Sequence, residues 1–248
     1  MVTIKSKSEI EKMRKAGKIT GDALKLIENH IKPGVSTLEL DAIAYDFLKK
    51  QGAIPSFLNY NGFPGSICAS PNSWVIHGIP SKNVVLKEGA IISIDMGACY
   101  EGYHGDAART FGVGKISPEA QRLIDVTKQS FFAGVKNATH GAKLGDISAA
   151  IQEYVEDNGY SVVRDYVGHG IGKKLHEDPQ VPNFGHRGRG MRLAAGMTLA
   201  VEPMVNEGGP EVVIQDDDWT VETEDGMLSA HYENTILITK GECEILTL

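Results

Sequence analysis

The stretch Ala90–Phe111, AIISIDMGACYEGYHGDAARTF, carries the residue types best placed for chemistry. Asp95 follows the apolar run Ile91–Ile94, where a charge is costly unless something compensates it. Gly97 to Gly102 offers turn chemistry, and a second run brings Asp106. A hairpin centred between Tyr100 and Glu101 pairs residues whose numbers sum to 201, which sets Asp95 opposite Asp106. Cross-strand neighbours have Cβ atoms about 5 Å apart. Two carboxylates that close repel, and one keeps its proton unless a cation lies between them. A divalent metal ion is the expected cation.

Two further acids abut apolar runs in the same way: Glu202 in Leu199-Ala-Val-Glu-Pro, and Glu233 at the head of Glu233-Asn-Thr-Ile-Leu-Ile. Asp95, Asp106, Glu202 and Glu233 together carry a charge of −4, which two divalent ions would balance. Carboxylates joined by one imidazole suit Mn²⁺, Fe²⁺, Co²⁺ or Zn²⁺. No Cys-x-x-Cys and no His-Glu-x-x-His occurs, which excludes a zinc finger and a zincin-type site. Taken singly, each acid also has a structural reading, as a turn cap or a salt-bridge partner, with Arg109 close in sequence to Asp106. The joint placement of four acids at strand ends favours metal.

Among the eight histidines, His30, His140, His186 and His231 fall in helix ends or polar loops and read as solvated. His104 faces Gly97 in the hairpin so drawn and reads as a neighbour of the site. His77, His169 and His176 differ: glycines adjoin two of them, and the loops around them are poor in charge. Gly168-His-Gly-Ile-Gly172 permits close backbone approach to a ligand.

The elements that must position these residues follow a repeated plan. Ser8 with Glu11 reads as a capping box for a helix to Ile31, Thr37–Gln51 as a second helix, Ser117-Pro118 as the cap of a third running to about Ala138, and Asp146–Asn158 as a fourth. Strand-like runs lie at Leu199–Glu202, Val212–Ile214, Trp219–Val221 and Thr235–Ile238. A shift of 107 residues superposes Gly34 on Gly141, Gly52 on Gly159, Leu86–Gly89 on Leu193–Gly196, and Asp95 on Glu202. One offset holding across helix, turn and strand predicts two βαβ-like halves related by a pseudo-two-fold, about 1–110 and 111–248, joined in a single catalytic domain with the site between them. Two unrelated helix–strand units are the alternative.

The chain has 248 residues and a net charge of −7, which disfavours stable nucleic-acid binding. No stretch approaches the roughly 20 apolar residues of a membrane span. Met1–Ile10 is polar and lacks the apolar segment of a secretory signal. Cys68, Cys99 and Cys243 are odd in number and scattered, as expected of a reducing, cytoplasmic setting.

Ser93-Ile-Asp95-Met-Gly97, Gly102-Tyr-His-Gly-Asp106, Gly168-His-Gly-Ile-Gly172, Leu175-His-Glu-Asp-Pro179, Glu202-Pro-Met and His231-Tyr-Glu233-Asn-Thr235 together resemble the methionine aminopeptidases, in their short bacterial form. The resemblance covers essentially the whole chain. It implies an α+β pita-bread fold, with two halves related by a pseudo-two-fold, a curved antiparallel sheet inside and helices outside. It also implies a monomeric enzyme that removes the N-terminal methionine from new proteins when the second residue is small. Asp95, Asp106, His169, Glu202 and Glu233 match the family's ligands for two divalent ions, Co²⁺, Mn²⁺, Fe²⁺ or Zn²⁺. His77 and His176 match the histidines that contact substrate. Glu202 is then the general acid/base, His176 the oxyanion donor, and His77 the group that positions the residue after the scissile bond. Tyr60, Phe63, Cys68 and Trp219 match the methionine pocket. Asn72, Trp74 and Ser229 fall where family members bind a monovalent cation, Na⁺ or K⁺. The partners implied are polypeptide N-termini beginning with Met, and the ribosome transiently, with no membrane. Leu175, Asn61 and Asn234 depart from residues common in relatives and bear on second-residue preference.

Rival readings are a proline-directed aminopeptidase or dipeptidase of the same fold and a non-catalytic binding module. The former usually carries a separate N-terminal domain, whereas here the catalytic half begins close to Met1. The latter generally loses ligands. A glycosidase carboxylate pair would leave His77, His169 and His176 without a role.

Overall fold

The computed structural model describes residues 2–248. The first half runs through helices α1 (Lys7–Glu28) and α2 (Thr37–Lys50), short strands β1 (Ile54–Pro55), β2 (Ile67–Pro71) and β3 (Trp74–Ile76), and the ten-residue strands β4 (Ile91–Tyr100) and β5 (Tyr103–Gly112). The second half has helices α3 (Pro118–Val135) and α4 (Leu144–Asp157), then β6 (Ser161–Val162), β7 (Gly168–Gly170), β8 (Glu177–Val181) and β9 (Thr198–Val201). An excursion follows through β10 (Met204–Asn206), β11 (Val212–Ile214), β12 (Val221–Thr223) and β13 (Ser229–His231). The chain closes with β14 (Asn234–Leu237) and β15 (Glu244–Ile245). Adding 107 to the bounds of α2 gives those of α4, and adding it to the bounds of β1 gives those of β6. β4 and β9 begin at the same offset, so Asp95 and Glu202 lie at matching positions.

Local chemistry sets the helix starts. The capping box of α1 is Ser6 with Glu9 rather than Ser8 with Glu11: Ser6 Oγ accepts from the Glu9 N–H, and the Glu9 carboxylate accepts from the Ser6 N–H at 2.8 Å. Glu11 is spent on Arg14 instead. Ser36 with Glu39 caps α2 in the same manner. Ser117 caps α3, with Pro118 at the first helical position, where no N–H is needed.

The hairpin register also differs from the expectation. Glu101 and Gly102 both take positive φ, 48° and 78°, forming a two-residue turn, so Tyr100 faces Tyr103. Paired numbers therefore sum to 203, Asp95 faces Ala108, and Asp106 faces Gly97. A slip of two residues keeps each side chain on its face. The two acids remain on one face, as diagonal rather than direct neighbours.

β5 joins the halves, because Ala108 and Glu233 exchange backbone hydrogen bonds at 3.0 and 3.3 Å. With β4 paired to β5 and the sheet β15-β14-β9-β7-β8 beyond, one strand surface runs β2-β4-β5-β14-β9-β7-β8 through the molecule. On its outer side in the first half, Ile19, Leu24, Ile27, Leu40 and Leu48 of the helices pack with Ile92, Ile94 and Met96. Leu123, Phe131, Ile147 and Ile151 cover Leu199, Val201 and Ile236 in the second half. Each such burial stabilises by about 1.5–3 kcal/mol. The helices thus hold the sheet from outside and leave its inner face to the polar side chains.

Candidate metal centre and its cavity

Five neighbouring strands of this surface bring the groups together: Asp95 from β4, Asp106 from β5, Glu233 immediately before β14, Glu202 immediately after β9, and His169 from β7. The β9–β14 register, Val201 opposite Asn234, carries on to set Glu202 against Glu233. All five line one cavity of about 250 Å³. Ligating atoms of Asp106, His169 and Glu233 lie within 4.8 Å of one another. His169 Nε2 is 3.6 Å from Glu202 Oε1 and 3.9 Å from Asp106 Oδ2. The Glu233 carboxyl is close enough to Asp95 to influence its protonation.

Burial makes this cluster electrostatically expensive. Asp106 and Glu233 are 3% and 2% exposed. Asp95 Oδ1, Asp106 Oδ1 and Glu233 Oε1 are buried with no hydrogen-bond partner. Desolvation raises the Asp95 carboxyl to about 7. Asp106 and Glu202 are pushed well above the carboxylate range, by burial first and then by the neighbouring acids. Glu233 rises for the same reasons, against the pull of Arg109. A cation among these oxygens would reverse that preference, supplying the partner the orphaned atoms lack. The imidazole is set to join them. His169 Nδ1 lies 2.9 Å from the Gly170 carbonyl, to which only an N–H can donate, and burial holds the ring down at about 3. Nε2 therefore presents a lone pair toward Asp106 and Glu202. The donor set fits hard to borderline divalent ions.

The rest of the cavity is apolar and aromatic. Tyr60, Phe63, Cys68 and Trp219 line it, together with Leu175, Asn61, His77 and His176. Phe63 meets Trp219 edge-on at 5.2 Å. Trp219 lies in a turn before β12, not within a strand, because the Asp217 carboxylate accepts from the Trp219 and Thr220 N–H groups. His77 has a positive φ of 60°, a costly conformation for a residue with a Cβ. The following Gly78 donates to Ser70 Oγ, and a Cβ on it would fall 2.3 Å from the Ala69 carbonyl oxygen. His77 packs edge-on against Tyr166, and burial drops its ring to about 4. His176 Nδ1 sits 2.8 Å from the Tyr60 hydroxyl. Its neighbour Glu177 is tied to the N-terminal segment through Lys5, at 2.8 Å, and Thr3, at 2.7 Å. Burial lowers His176 as well.

Asn72, Trp74 and Ser229 do not line this cavity. The Asn72 carbonyl accepts from the Ser229 N–H at 2.9 Å, and Trp74 opens β3 two residues on.

Two histidine expectations need correction. His104 faces Cys99, not Gly97, and its Nδ1 contacts Ser56 Oγ at 2.8 Å; it does not line the cavity. His231 is not solvated but 1% exposed, with Nε2 3.8 Å from Glu202 Oε2. The missed signal is its spacing: a residue two before Glu233 on an extended chain points to the same side. Sequence reading also missed Phe57, Tyr166 and Val167 in the lining. It gave Arg109 no role beyond pairing with Asp106. Arg109 instead donates to the Glu233 carbonyl and to Asn234 Oδ1, over the Tyr232 ring.

The profile of metallopeptidase family M24 matches residues 11–240, and the chain belongs to this family. Its architecture is the pita-bread fold, two αβ halves enclosing the strands that bear the acids. Within the family the chain is similar along its whole length to methionine aminopeptidases. It is 61% identical to that of Clostridium acetobutylicum, covering 100% of this chain and 99% of the relative. It is 46% identical to that of Escherichia coli, covering 100% and 94%. The crystal structure of methionine aminopeptidase from Thermotoga maritima superposes with a TM-score of 0.98 at 47% identity, covering 100% and 99%. An Xaa-Pro dipeptidase from Bacillus anthracis superposes with a TM-score of 0.79 at 26% identity, and this chain covers 61% of it.

Proposed function

We propose that this protein is a metal-dependent methionyl aminopeptidase, hydrolysing the first peptide bond of polypeptides that begin with Met and continue with a small residue. The observation that carries the reading is the one cavity that joins four carboxylates, Asp106 and Glu233 among them fully buried, and the His169 imidazole to an aromatic lobe. Its whole-length similarity to methionine aminopeptidases supports the choice of substrate. Asp95, Asp106, His169, Glu202 and Glu233 would hold a pair of divalent ions, Co²⁺, Mn²⁺, Fe²⁺ or Zn²⁺. Asp106 and Glu233 would be shared between the two. When bound, the ions supply Lewis acidity and lower the pKa of water toward neutrality.

The chain's own residues do the rest. Glu202, at the cavity wall, takes a proton from the water that attacks the scissile carbonyl carbon and passes it to the departing amine as that C–N bond breaks, acting as general acid/base. His176, whose Nδ1 accepts a hydrogen bond from the Tyr60 hydroxyl, keeps its N–H on Nε2 and donates a hydrogen bond to the scissile carbonyl oxygen as charge develops there. His77 holds the amide of the second residue. Phe63, Tyr60, Cys68 and Trp219 enclose the unbranched thioether, which is flexible enough for a confined apolar slot. Asn72, Trp74 and Ser229 would hold a monovalent cation through main-chain oxygens. We place the protein in the cytoplasm as a monomer meeting nascent chains at the ribosome. Among the described residues no helix is long and apolar enough to cross a membrane.

The test is turnover of Met-Ala-Ser against Ala-Pro-Ser by stripped protein given each divalent ion in turn. Release of Met from the first substrate alone is expected, and Glu202→Gln should abolish it while leaving the fold intact. Cleavage before proline with no action on Met-Ala-Ser would replace this reading by the proline-directed one. Normal activity of the metal-loaded Glu202→Gln protein would remove Glu202 from its role.

A further inference from the structure

The ring of His231 is buried at the end of β13, yet neither nitrogen has a hydrogen-bond partner. Its backbone is held at both polar groups: the N–H donates to Thr110 Oγ1 at 2.8 Å, and the carbonyl accepts from the same hydroxyl at 2.9 Å. The main chain that carries the ring is therefore fixed in place. A buried polar group left unpaired costs stability, so such a group demands an explanation. The carboxylate beside it is Glu202, whose two oxygens face different imidazoles. Oε1 is 3.6 Å from His169 Nε2, and Oε2 is 3.8 Å from His231 Nε2. The second gap is about 1 Å longer than an N–H···O bond, a distance that a small rotation of the Glu202 side chain closes.

We propose that His231 is a positioning residue for Glu202: its Nε2–H donates to Oε2, leaving Oε1 for the metal side shared with His169. This rests on the role of Glu202 proposed above. Carboxylates that bind a metal are commonly held by such outer hydrogen bonds, and their loss costs about 10–100-fold in affinity or activity. A neutral imidazole suits the task, since it can offer one N–H without adding a charge to the cavity.

Three measurements test it. The first is steady-state hydrolysis of Met-Ala-Ser with saturating Mn²⁺ by the wild type, His231→Leu and His231→Gln. The second is calorimetric titration of Mn²⁺ into the stripped proteins. The third is a ¹⁵N–¹H spectrum of the ring nitrogens in the Zn²⁺-loaded wild type. His231→Leu should lower kcat about 10–100-fold with little change in KM, and weaken Mn²⁺ binding by about 10-fold. His231→Gln, which keeps an N–H donor, should recover most of both, and the wild-type ring should carry its proton on Nε2. Wild-type kcat and Mn²⁺ affinity in His231→Leu overturn the proposal. So does a folded His231→Gln as impaired as His231→Leu, or a proton on Nδ1. If His231→Leu does not fold, the Gln variant and the ring spectrum decide. A wild type inactive on Met-Ala-Ser breaks the functional reading itself. An active wild type, an inactive Glu202→Gln and an unaffected His231→Leu break only this inference.

Discussion

Removing divalent ions should leave a protein that weakens as pH rises, contrary to the usual behaviour of carboxylates. Asp95 makes the case. Burial, opposed by Glu233 and the Met96 backbone, moves its carboxyl from the ordinary 3.8 to about 7. The folded chain then keeps a proton that the unfolded chain has released. Its contribution is fully present below pH 3.8 and is lost as pH rises through about 7. At about 1.4 kcal/mol per pH unit, the displacement corresponds to about 4 kcal/mol. Asp106, Glu202 and Glu233 are displaced in the same direction, by burial first and then by neighbouring acids, Asp95 among them in each case, so they extend the fall above neutral pH. Bound ions remove the cause and add their own binding free energy. The assay is urea denaturation from pH 5 to 8 at fixed ionic strength, with chelator or with Mn²⁺. The midpoint should drop steadily in chelator and hold in Mn²⁺, and Asp95→Asn should flatten the chelator profile. Equal stability at pH 5 and 8 in chelator, or a profile indifferent to Asp95→Asn, would refute the reasoning.

Other perturbations follow from the same geometry. Gly170→Ala would place a Cβ 2.1 Å from the Asp178 carbonyl oxygen, main chain that has no room to yield, beside His169. A loss of about 2–3 kcal/mol in thermal unfolding, with weakened Mn²⁺ binding by calorimetry, is expected. Arg109→Met keeps a side chain of similar length but removes the guanidinium that lies over Tyr232 and donates to the Glu233 carbonyl and Asn234 Oδ1. It should cost about 2–4 kcal/mol in urea denaturation. Trp219→Ala opens the wall that Phe63 meets edge-on and His77 approaches at 6.4 Å. KM for Met-Ala-Ser should rise about 10-fold or more while kcat changes less, as judged by initial rates, since lost apolar burial of about 1.4 kcal/mol is tenfold in binding.

Much of this protein is written locally. Ser36 with Glu39, Ser117 with Pro118, and the acids abutting apolar runs are short-range signals, because a cap or a strand end depends on residues within one turn or one strand. The 107-residue offset was equally legible, since matching elements recur at matching spacing. Register was not. Either a turn centred before Glu101 or one formed by Glu101 and Gly102 keeps Asp95 and Asp106 on one face, and only the backbone's choice of two successive positive φ angles separates them. His231 was misplaced for a related reason. Its neighbours Ser229, Ala230 and Tyr232 mark no long apolar run, and the contacts that enclose it come from other segments, with Thr110 of β5 clamping its backbone and Glu202 Oε2 3.8 Å from its ring. The sequence alone set four acids beside apolar strand runs and marked the segments that carry them. The tertiary structure decided which oxygens face each other, which imidazole stands behind Glu202, and how Arg109 reaches the Glu233 backbone. Those contacts join β5, β9, β13 and β14, and distances across strands far apart in sequence are set by packing and pairing rather than by spacing along the chain.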